Sequence, residues 1–244
     1  MVNKLPMPAK PPIIPQTSGP LLVVIGDSML EKATPQLTSA LREKNSALQV
    51  VNLSVGGSAL SYNEPKDWLK AAPLIAETMK RGDKVLINLS HNDFYAMGKR
   101  HGWDNSFLDK NEYMDKATYL KKFEQLVNTF KDKGIDVHVA GPAPYLKQEP
   151  VVSKFLAKHY TAATQRIPVL SQELDKLSKK LGVNYIPMLD NQDLHNKNSR
   201  LGDGLHPNDA GKRMMATQIA AGITNPPQPK ITIAQKSNTF RHQG

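Results

Sequence analysis

Residues 21–29 read Leu-Leu-Val-Val-Ile-Gly-Asp-Ser-Met, and this stretch decides the fold. Its first five residues are apolar and mostly β-branched, a pattern that predicts a short strand buried on both faces. Gly26 ends the apolar run, and polar residues follow at once. In a parallel sheet the residues just after a strand lie at the carboxyl edge, where α/β proteins bind their ligands. We therefore expect Ser28 to lie at a functional edge of a parallel sheet.

Four further segments repeat this strand pattern, and helical patterns separate them. The predicted strands are Leu21–Ile25, Gln49–Ser54, Lys84–Ser90, Asp136–Ala140 and Asn184–Pro187. The predicted helices cover residues 34–44, 65–80, 118–131, 152–181 and 210–223. Pro168 lies inside the fourth helix and predicts a kink or break there. Strands that alternate with helices predict an α/β fold, a three-layer α/β/α sandwich with a mostly parallel, doubly wound five-stranded sheet.

The chain divides into one domain and two flanking segments. Residues 21–224 form the predicted domain, residues 1–20 a Pro-rich linker or arm with six prolines, and residues 225–244 a loose polar tail. The arm lacks the continuous apolar segment of a signal peptide, and no apolar run is long enough to span a bilayer. We expect a bacterial envelope location (periplasm or cell surface) if a signal or anchor has been removed, and a cytoplasmic one otherwise.

The chain has no cysteine and a formal charge of +10. The lack of cysteine excludes disulfides, thiol catalysis and cysteine metal sites. A basic balance fits nucleic acid, an anionic envelope or an acidic polysaccharide. The lysines are spread along predicted helices without interleaved aromatic residues, so we expect a solvated basic surface and no nucleic-acid binding. Attraction to an anionic partner remains the alternative.

Ser28, Asp203 and His206 are the parts of a hydrolytic triad, in the chain order Ser, Asp, His. A serine hydroxyl is a weak nucleophile until a base takes its proton, and His206 is the candidate base. A base needs a third group that fixes its tautomer, and Asp203 lies three residues earlier. The alternatives are structural: Ser28 could cap a helix, and Asp203 and His206 could form a turn and a cap before the last helix.

An acyl-transfer site also needs N–H donors for the developing oxyanion. The candidates are the main-chain N–H groups of Ser28 and Gly57 and the side-chain amide of Asn92. These residues follow the first, second and third predicted strands, so they share one edge of the sheet. Each has a structural alternative, because Gly57 could belong to an ordinary turn and Asn92 could cap or turn the chain.

Four segments together resemble the SGNH (GDSL-type) serine hydrolase and esterase superfamily. Gly26–Met29 resembles the GDSL block, Asn52–Gly57 the second block, Ser90–Asp93 the third and Asp203–His206 the fifth. The resemblance implies the flavodoxin-like SGNH hydrolase fold, with Ser28 as nucleophile, His206 as base, Asp203 as its orienter, and Gly57 and Asn92 in the oxyanion hole. Two positions depart from the pattern, since Ser90 replaces the usual glycine and Met29 the usual leucine.

Three further residues are candidate substrate contacts: Asp27, Ser90 and Trp103. Asp27 also fits a structural hydrogen-bonding role at the corner after the first strand, and Trp103 could instead cover the core. Trp103 belongs to the long polar stretch 91–114. His91 and Asp93 in that stretch match no common metal-ligand spacing, so we expect no metal and no cofactor.

These features predict a serine esterase that hydrolyses O-acyl esters, above all O-acetyl esters on a carbohydrate or cell-surface polysaccharide. An O-acetyltransferase that modifies a glycan through the same acyl-enzyme is the alternative within this chemistry. A non-catalytic binding or structural module of an envelope or phage assembly is the alternative from another class. The superfamily also includes lipases and thioesterases, so the resemblance alone does not choose the substrate.

Overall fold

A computed structural model describes residues 19–44, 46–60, 68–89, 116–144, 154–199, 201 and 206–226, without the side chains of residues 154–166 and 197. These residues form five strands and six helices. The strands are β1 Leu21–Gly26, β2 Gln49–Asn52, β3 Lys84–Asn88, β4 Asp136–Ala140 and β5 Asn184–Ile186. The helices are α1 Ser28–Glu31, α2 Thr34–Glu43, α3 Trp68–Thr78, α4 Lys116–Lys131, α5 Lys154–Leu181 and α6 Asp209–Thr224.

The five strands form one parallel sheet in the order β2-β1-β3-β4-β5. This arrangement confirms the predicted α/β fold and doubly wound sheet. The chain winds from β1 outward to β2 and then crosses back to β3, so the strand order reverses between β1 and β3. Ligands bind in such sheets beyond the carboxyl ends of the strands at this reversal. The segment after β1, which begins with Asp27 and Ser28, lies at that point.

Helices cover both faces of the sheet, and β1 shows why the sequence requires this. Leu21, Val23 and Ile25 belong to one buried cluster, with side chains of α3, α4 and α5. Leu22 and Val24 belong to a second cluster, with side chains of α1, α2 and α6. Successive strand residues point to opposite faces of the sheet. A strand that is apolar throughout therefore needs a layer of helices on each face to bury its side chains. Full burial of each such side chain is worth about 1.5–3 kcal/mol.

Of the kink or break predicted at Pro168, the break is wrong, because the helix α5 continues through this residue. An interior proline removes a main-chain hydrogen bond and costs about 3 kcal/mol in a helix. The buried side chains of Ile167, Leu170 and Leu174 pack into the core on either side of it. Their burial offsets the local cost.

Several local elements differ from the sequence prediction. The four-residue helix α1 was not predicted. Two 3-10 turns, Gln192–His195 and Lys197–Ser199, lie between β5 and α6, where the sequence predicts neither strand nor helix. The strand β2 ends at Asn52, two residues early. Beyond Asn52 the chain still runs alongside β1, since Val55 N–H donates to the Gly26 carbonyl at 3.0 Å.

The predicted arm and tail lie almost wholly outside the described residues, so the domain limits stay a prediction. Within the described ranges, no helix has both the length and the apolar character needed to cross a bilayer.

Candidate active site

Ser28 is the first residue of α1, directly after the turn that ends β1. The helix cap is the preceding residue: Met29 N–H donates to the Asp27 carboxylate oxygen Oδ1 at 2.9 Å. The alternative in which Ser28 caps a helix therefore does not hold for α1. Asp27 is fully buried. It takes the structural role expected as its alternative and has no exposed surface with which to contact a substrate.

His206 lies against Ser28 although 178 positions separate them, with Nε2 3.0 Å from Oγ. This distance is within hydrogen-bond reach of a base and its nucleophile. The His206 carbonyl accepts a hydrogen bond from Leu201 N–H at 2.9 Å. Pro207, which follows, is buried. The structure thus brings together two of the three residues proposed for the triad.

The start of α6 holds His206 in place. The Asn208 side chain caps this helix, with Oδ1 accepting from Gly211 N–H at 3.0 Å and Nδ2 donating to the Asn198 carbonyl at 2.7 Å. Gly211 allows the helix to approach the preceding 3-10 turn closely. A Cβ atom at this position would lie 2.0 Å from the Ser199 carbonyl oxygen. A side chain cannot be accommodated there without movement of the backbone.

The turn that contains Gly57 lies beside Ser28. Gly57 has φ +70°, a left-handed conformation that glycine adopts without strain. The hydroxyl of the fully buried Ser58 donates to the Gly26 carbonyl at 2.9 Å, which fixes the turn against the end of β1. A Cβ atom at Gly56 would lie 3.7 Å from Cβ of Ser28. This placement is compatible with the predicted oxyanion role of Gly57.

A side-chain link between β2 and α1 was not anticipated. Asn52 donates through Nδ2 to the Glu31 carbonyl at 2.9 Å and accepts the Ser54 N–H through Oδ1 at 3.0 Å. It therefore joins the helix that begins with Ser28 to the segment that leads into Gly57. The signal in the sequence is an asparagine near the end of a predicted strand, where its amide can bond to neighbouring backbone.

A pocket of about 200 Å³ lies beside the Ser28–His206 pair, between α1 and the start of α6. Six of the eight described residues that line it were not predicted to belong to the site, and four of these have charged or exposed apolar side chains. These four are Glu31, Lys32, Leu201 and Lys212. Glu31 and Lys32 follow Ser28 by three and four positions, the spacing that places side chains on one helical face. That spacing would have identified them had α1 been predicted.

Charged side chains meet at the rim of this pocket. Lys212 donates to Asp209 at 2.9 Å, and this hydrogen bond lowers the pKa of the Asp209 carboxyl. The Asp209 side chain is 74% exposed and that of Lys212 is 21% exposed. Solvent therefore reaches the Asp209 side chain of this ion pair more freely than that of Lys212. The Glu31 carboxylate lies against Gly56, since a Cβ at Gly56 would be 2.7 Å from Oε2 of Glu31.

The remaining predicted site residues lie outside the described residues. They are Asp203, Asn92, Ser90 and Trp103. Their roles stay predictions, as does the absence of a metal at His91 and Asp93. Across the residues that the structure does describe, no group of three or more acidic or histidine side chains could hold a metal ion.

Comparison with known proteins gives a family and a fold. The family described as "Protein of unknown function (DUF459)" matches residues 21–222. No curated protein matches the chain. TesA is a similar solved structure, 17% identical, with a TM-score of 0.57 over 82% of this chain and 95% of TesA.

Two further solved structures are similar at this level. A catalytic mutant of Axe2, an acetylxylan esterase from Geobacillus stearothermophilus, is 14% identical, with a TM-score of 0.62 over 84% of this chain and 93% of its own. A GDSL-like lipase from Bacteroides thetaiotaomicron is 15% identical, with a TM-score of 0.57 over 84% and 87%. At these identities the likeness concerns the fold, and it confirms the SGNH-type fold expected from the sequence.

Proposed function

Since the chain belongs to the DUF459 family and has the fold of the hydrolases named above, we propose that it is a serine ester hydrolase. The observation that carries the proposal is the 3.0 Å separation between His206 Nε2 and Ser28 Oγ. A nucleophile within hydrogen-bond reach of a histidine base is the diagnostic geometry of covalent acyl transfer. The pair lies at the strand-order reversal, where this fold class places its chemistry.

In the first half-reaction Ser28 Oγ attacks the ester carbonyl carbon while His206 Nε2 takes the hydroxyl proton. The tetrahedral intermediate collapses, the bond to the alcohol oxygen breaks, and His206 gives the proton to that oxygen. In the second half-reaction His206 takes a proton from water, and the hydroxide attacks the acyl carbon. The carboxylic acid leaves, and Ser28 Oγ recovers its proton.

Asp203 and Asn92 complete the proposed machinery. Asp203 orients the His206 ring and stabilises the imidazolium that forms. Support comes from Axe2, two structures of which are described as catalytic mutants of an aspartate and of a histidine three positions later. Asp203 and His206 have the same spacing. Asn92, with the N–H groups of Ser28 and Gly57, stabilises the oxyanion.

The proposed substrates are O-acetyl esters of a carbohydrate. A pocket of about 200 Å³ is smaller than the roughly 300–1,000 Å³ that drug-sized ligands occupy. It therefore suits a small group, such as a single sugar, better than a large ligand. The name of Axe2, an acetylxylan esterase, supports the same substrate class.

The test compares hydrolysis of p-nitrophenyl acetate by the wild type, Ser28→Ala and Ser39→Ala. Ser39 is exposed on α2 and serves as the matched control. We expect turnover to fall to the uncatalysed level in Ser28→Ala and to be unchanged in Ser39→Ala, with equal thermal stability in all three proteins. Turnover that survives in Ser28→Ala would remove this residue from the mechanism.

A fluorophosphonate probe gives a second readout that needs no knowledge of the substrate. Such probes form a covalent adduct with an activated serine, so mass spectrometry of the digested protein should find the adduct on Ser28. His206→Ala should prevent it. An unlabelled wild-type protein would argue against an activated Ser28. An acyl series from acetyl to octanoyl then tests the substrate class, with acetyl expected to be the best substrate.

A further inference from the structure

The pocket beside His206 has a defined place in the proposed reaction. His206 returns its proton to the departing alcohol, so the alcohol part of the ester must lie next to the His206 ring. The pocket is lined by His206 and Lys212 but not by Gly57. It therefore lies beside the group that returns the proton to the alcohol.

The walls of the pocket combine apolar and cationic groups. Leu201 is half exposed and gives an apolar surface next to His206. Lys32 and Lys212 also line the pocket. Among the residues that the structure describes, no carboxylate lies within ion-pair distance of Lys32, which is exposed. Glu31 is the one acid among the described residues that line the pocket, and its carboxylate lies against Gly56.

Lys212 can bind a ligand without losing Asp209. A lysine ammonium has three N–H donors, and the hydrogen bond to Asp209 uses one of them. Lys212 and Asp209 form a surface ion pair, and such pairs contribute little to the free energy of folding. An incoming anion can therefore share Lys212 at small cost. The formal charge of +10 on the whole chain would also attract an anionic substrate to the site.

We propose that this pocket is the subsite for the alcohol part of the ester, and that Lys32 and Lys212 select an alcohol that carries a carboxylate, as in an acidic sugar. The proposal rests on the proposed esterase function. The apolar surface of Leu201 packs against the sugar ring, and the two ammonium groups bind the carboxylate.

The test uses two mono-acetylated methyl glycosides, one of galacturonic acid and one of galactose, acetylated at the same hydroxyl. The measured quantity is the ratio of kcat/KM for the acidic over the neutral substrate. We expect a ratio of about ten in the wild type and about one in the double variant Lys32→Met/Lys212→Met, as the loss of two partly exposed ion pairs implies. The corresponding arginine double variant should keep the ratio, because it keeps both charges.

Lys179→Met is the matched control, since Lys179 is an exposed α5 lysine bonded to Asp175 on the opposite face of the sheet. It should leave the ratio unchanged. A wild-type ratio of one would overturn the proposed subsite, and so would a ratio of about ten that persists in the Met double variant. In either case, p-nitrophenyl acetate hydrolysis that depends on Ser28 would still support the esterase function. If neither ester is hydrolysed, the binding of methyl galacturonoside, measured by titration calorimetry, tests the subsite independently of the esterase function. Binding that the Met double variant weakens supports the subsite, and the absence of binding overturns it.

Discussion

The side-chain amide of Asn52 donates a hydrogen bond of 2.9 Å to the main-chain carbonyl of Glu31. This bond joins the end of β2 to the last residue of the helix that begins with Ser28. The same side chain accepts the Ser54 N–H at 3.0 Å. Asn52 therefore sets the position of Ser28 relative to the segment that leads into Gly57, without lining the pocket.

This arrangement predicts that Asn52→Ala lowers kcat by about tenfold with little change in KM, because a shift of the nucleophile against its oxyanion donors weakens transition-state binding. The lost hydrogen bonds should also lower the free energy of unfolding by about 0.5–1.5 kcal/mol each. Asn52→Asp separates the two bonds, since a carboxylate can accept the Ser54 N–H but cannot donate to Glu31. Its kcat should fall as in the alanine variant, and a wild-type kcat would show that the bond to Glu31 is dispensable.

Asn92→Ala should lower kcat by about 10²–10³-fold with a modest change in KM, the loss seen when one oxyanion donor is removed. Steady-state kinetics on p-nitrophenyl acetate measure both constants. In a Ser28→Ala background the same substitution should have no further effect, because no Ser28 oxyanion then forms. An unchanged kcat in the single variant would mean that Asn92 only shapes the chain after β3.

Gly211→Ala should destabilise the protein, although alanine normally stabilises a helix by about 1 kcal/mol over glycine. The new Cβ would lie 2.0 Å from the Ser199 carbonyl oxygen and 3.0 Å from Cβ of Pro207. We expect the free energy of unfolding to fall by about 1–3 kcal/mol and kcat to fall with it, as His206 shifts with Pro207. Thr217→Ala, at an exposed position of the same helix, is the control for urea denaturation and kinetics.

The architecture was predictable because its signals are local. A strand buried on both faces must be apolar throughout, as Leu21–Gly26 is, so the sequence alone locates it. The strand Asp136–Ala140 agrees with the prediction at both ends. Helix ends differ by at most a few residues, because capping involves side chains whose partners are not apparent from spacing.

The site was predictable only in part, because its geometry depends on contacts between distant segments. The Ser28–His206 pairing followed from residue types that match a hydrolytic triad. The pocket-lining Lys212 and Leu201 did not, since neither residue type indicates a site. The tie from Asn52 to Glu31 requires α1, a helix of four residues with no periodic pattern to reveal it.

We expect a group of charged and polar side chains at the amino edge of the sheet to make the stability of the protein depend on pH. On β4, the buried His138 lies with Nε2 3.2 Å from the Asp136 carboxylate, which also binds Lys84. The hydrogen bond from His138, and then that from Lys84, hold the pKa of Asp136 well below its usual value. The unfolded chain, in which the carboxyl titrates near 3.9, therefore binds more protons in acid. The stabilisation is present above that value and is lost as the pH falls toward the folded-state pKa.

Asp136→Asn should accordingly lower the free energy of unfolding near neutral pH by up to about 1 kcal/mol, a modest amount because the Asp136 side chain is about half exposed. The difference from the wild type should shrink as the pH falls from about 5 toward 3, where the wild-type unfolded state begins to gain its proton. Urea denaturation at a series of pH values measures this. Asp132→Asn, in the exposed turn after α4, is the control and should show no such trend. A wild-type advantage that stays constant down to about pH 3 would mean that Asp136 acts through packing and not through its charge.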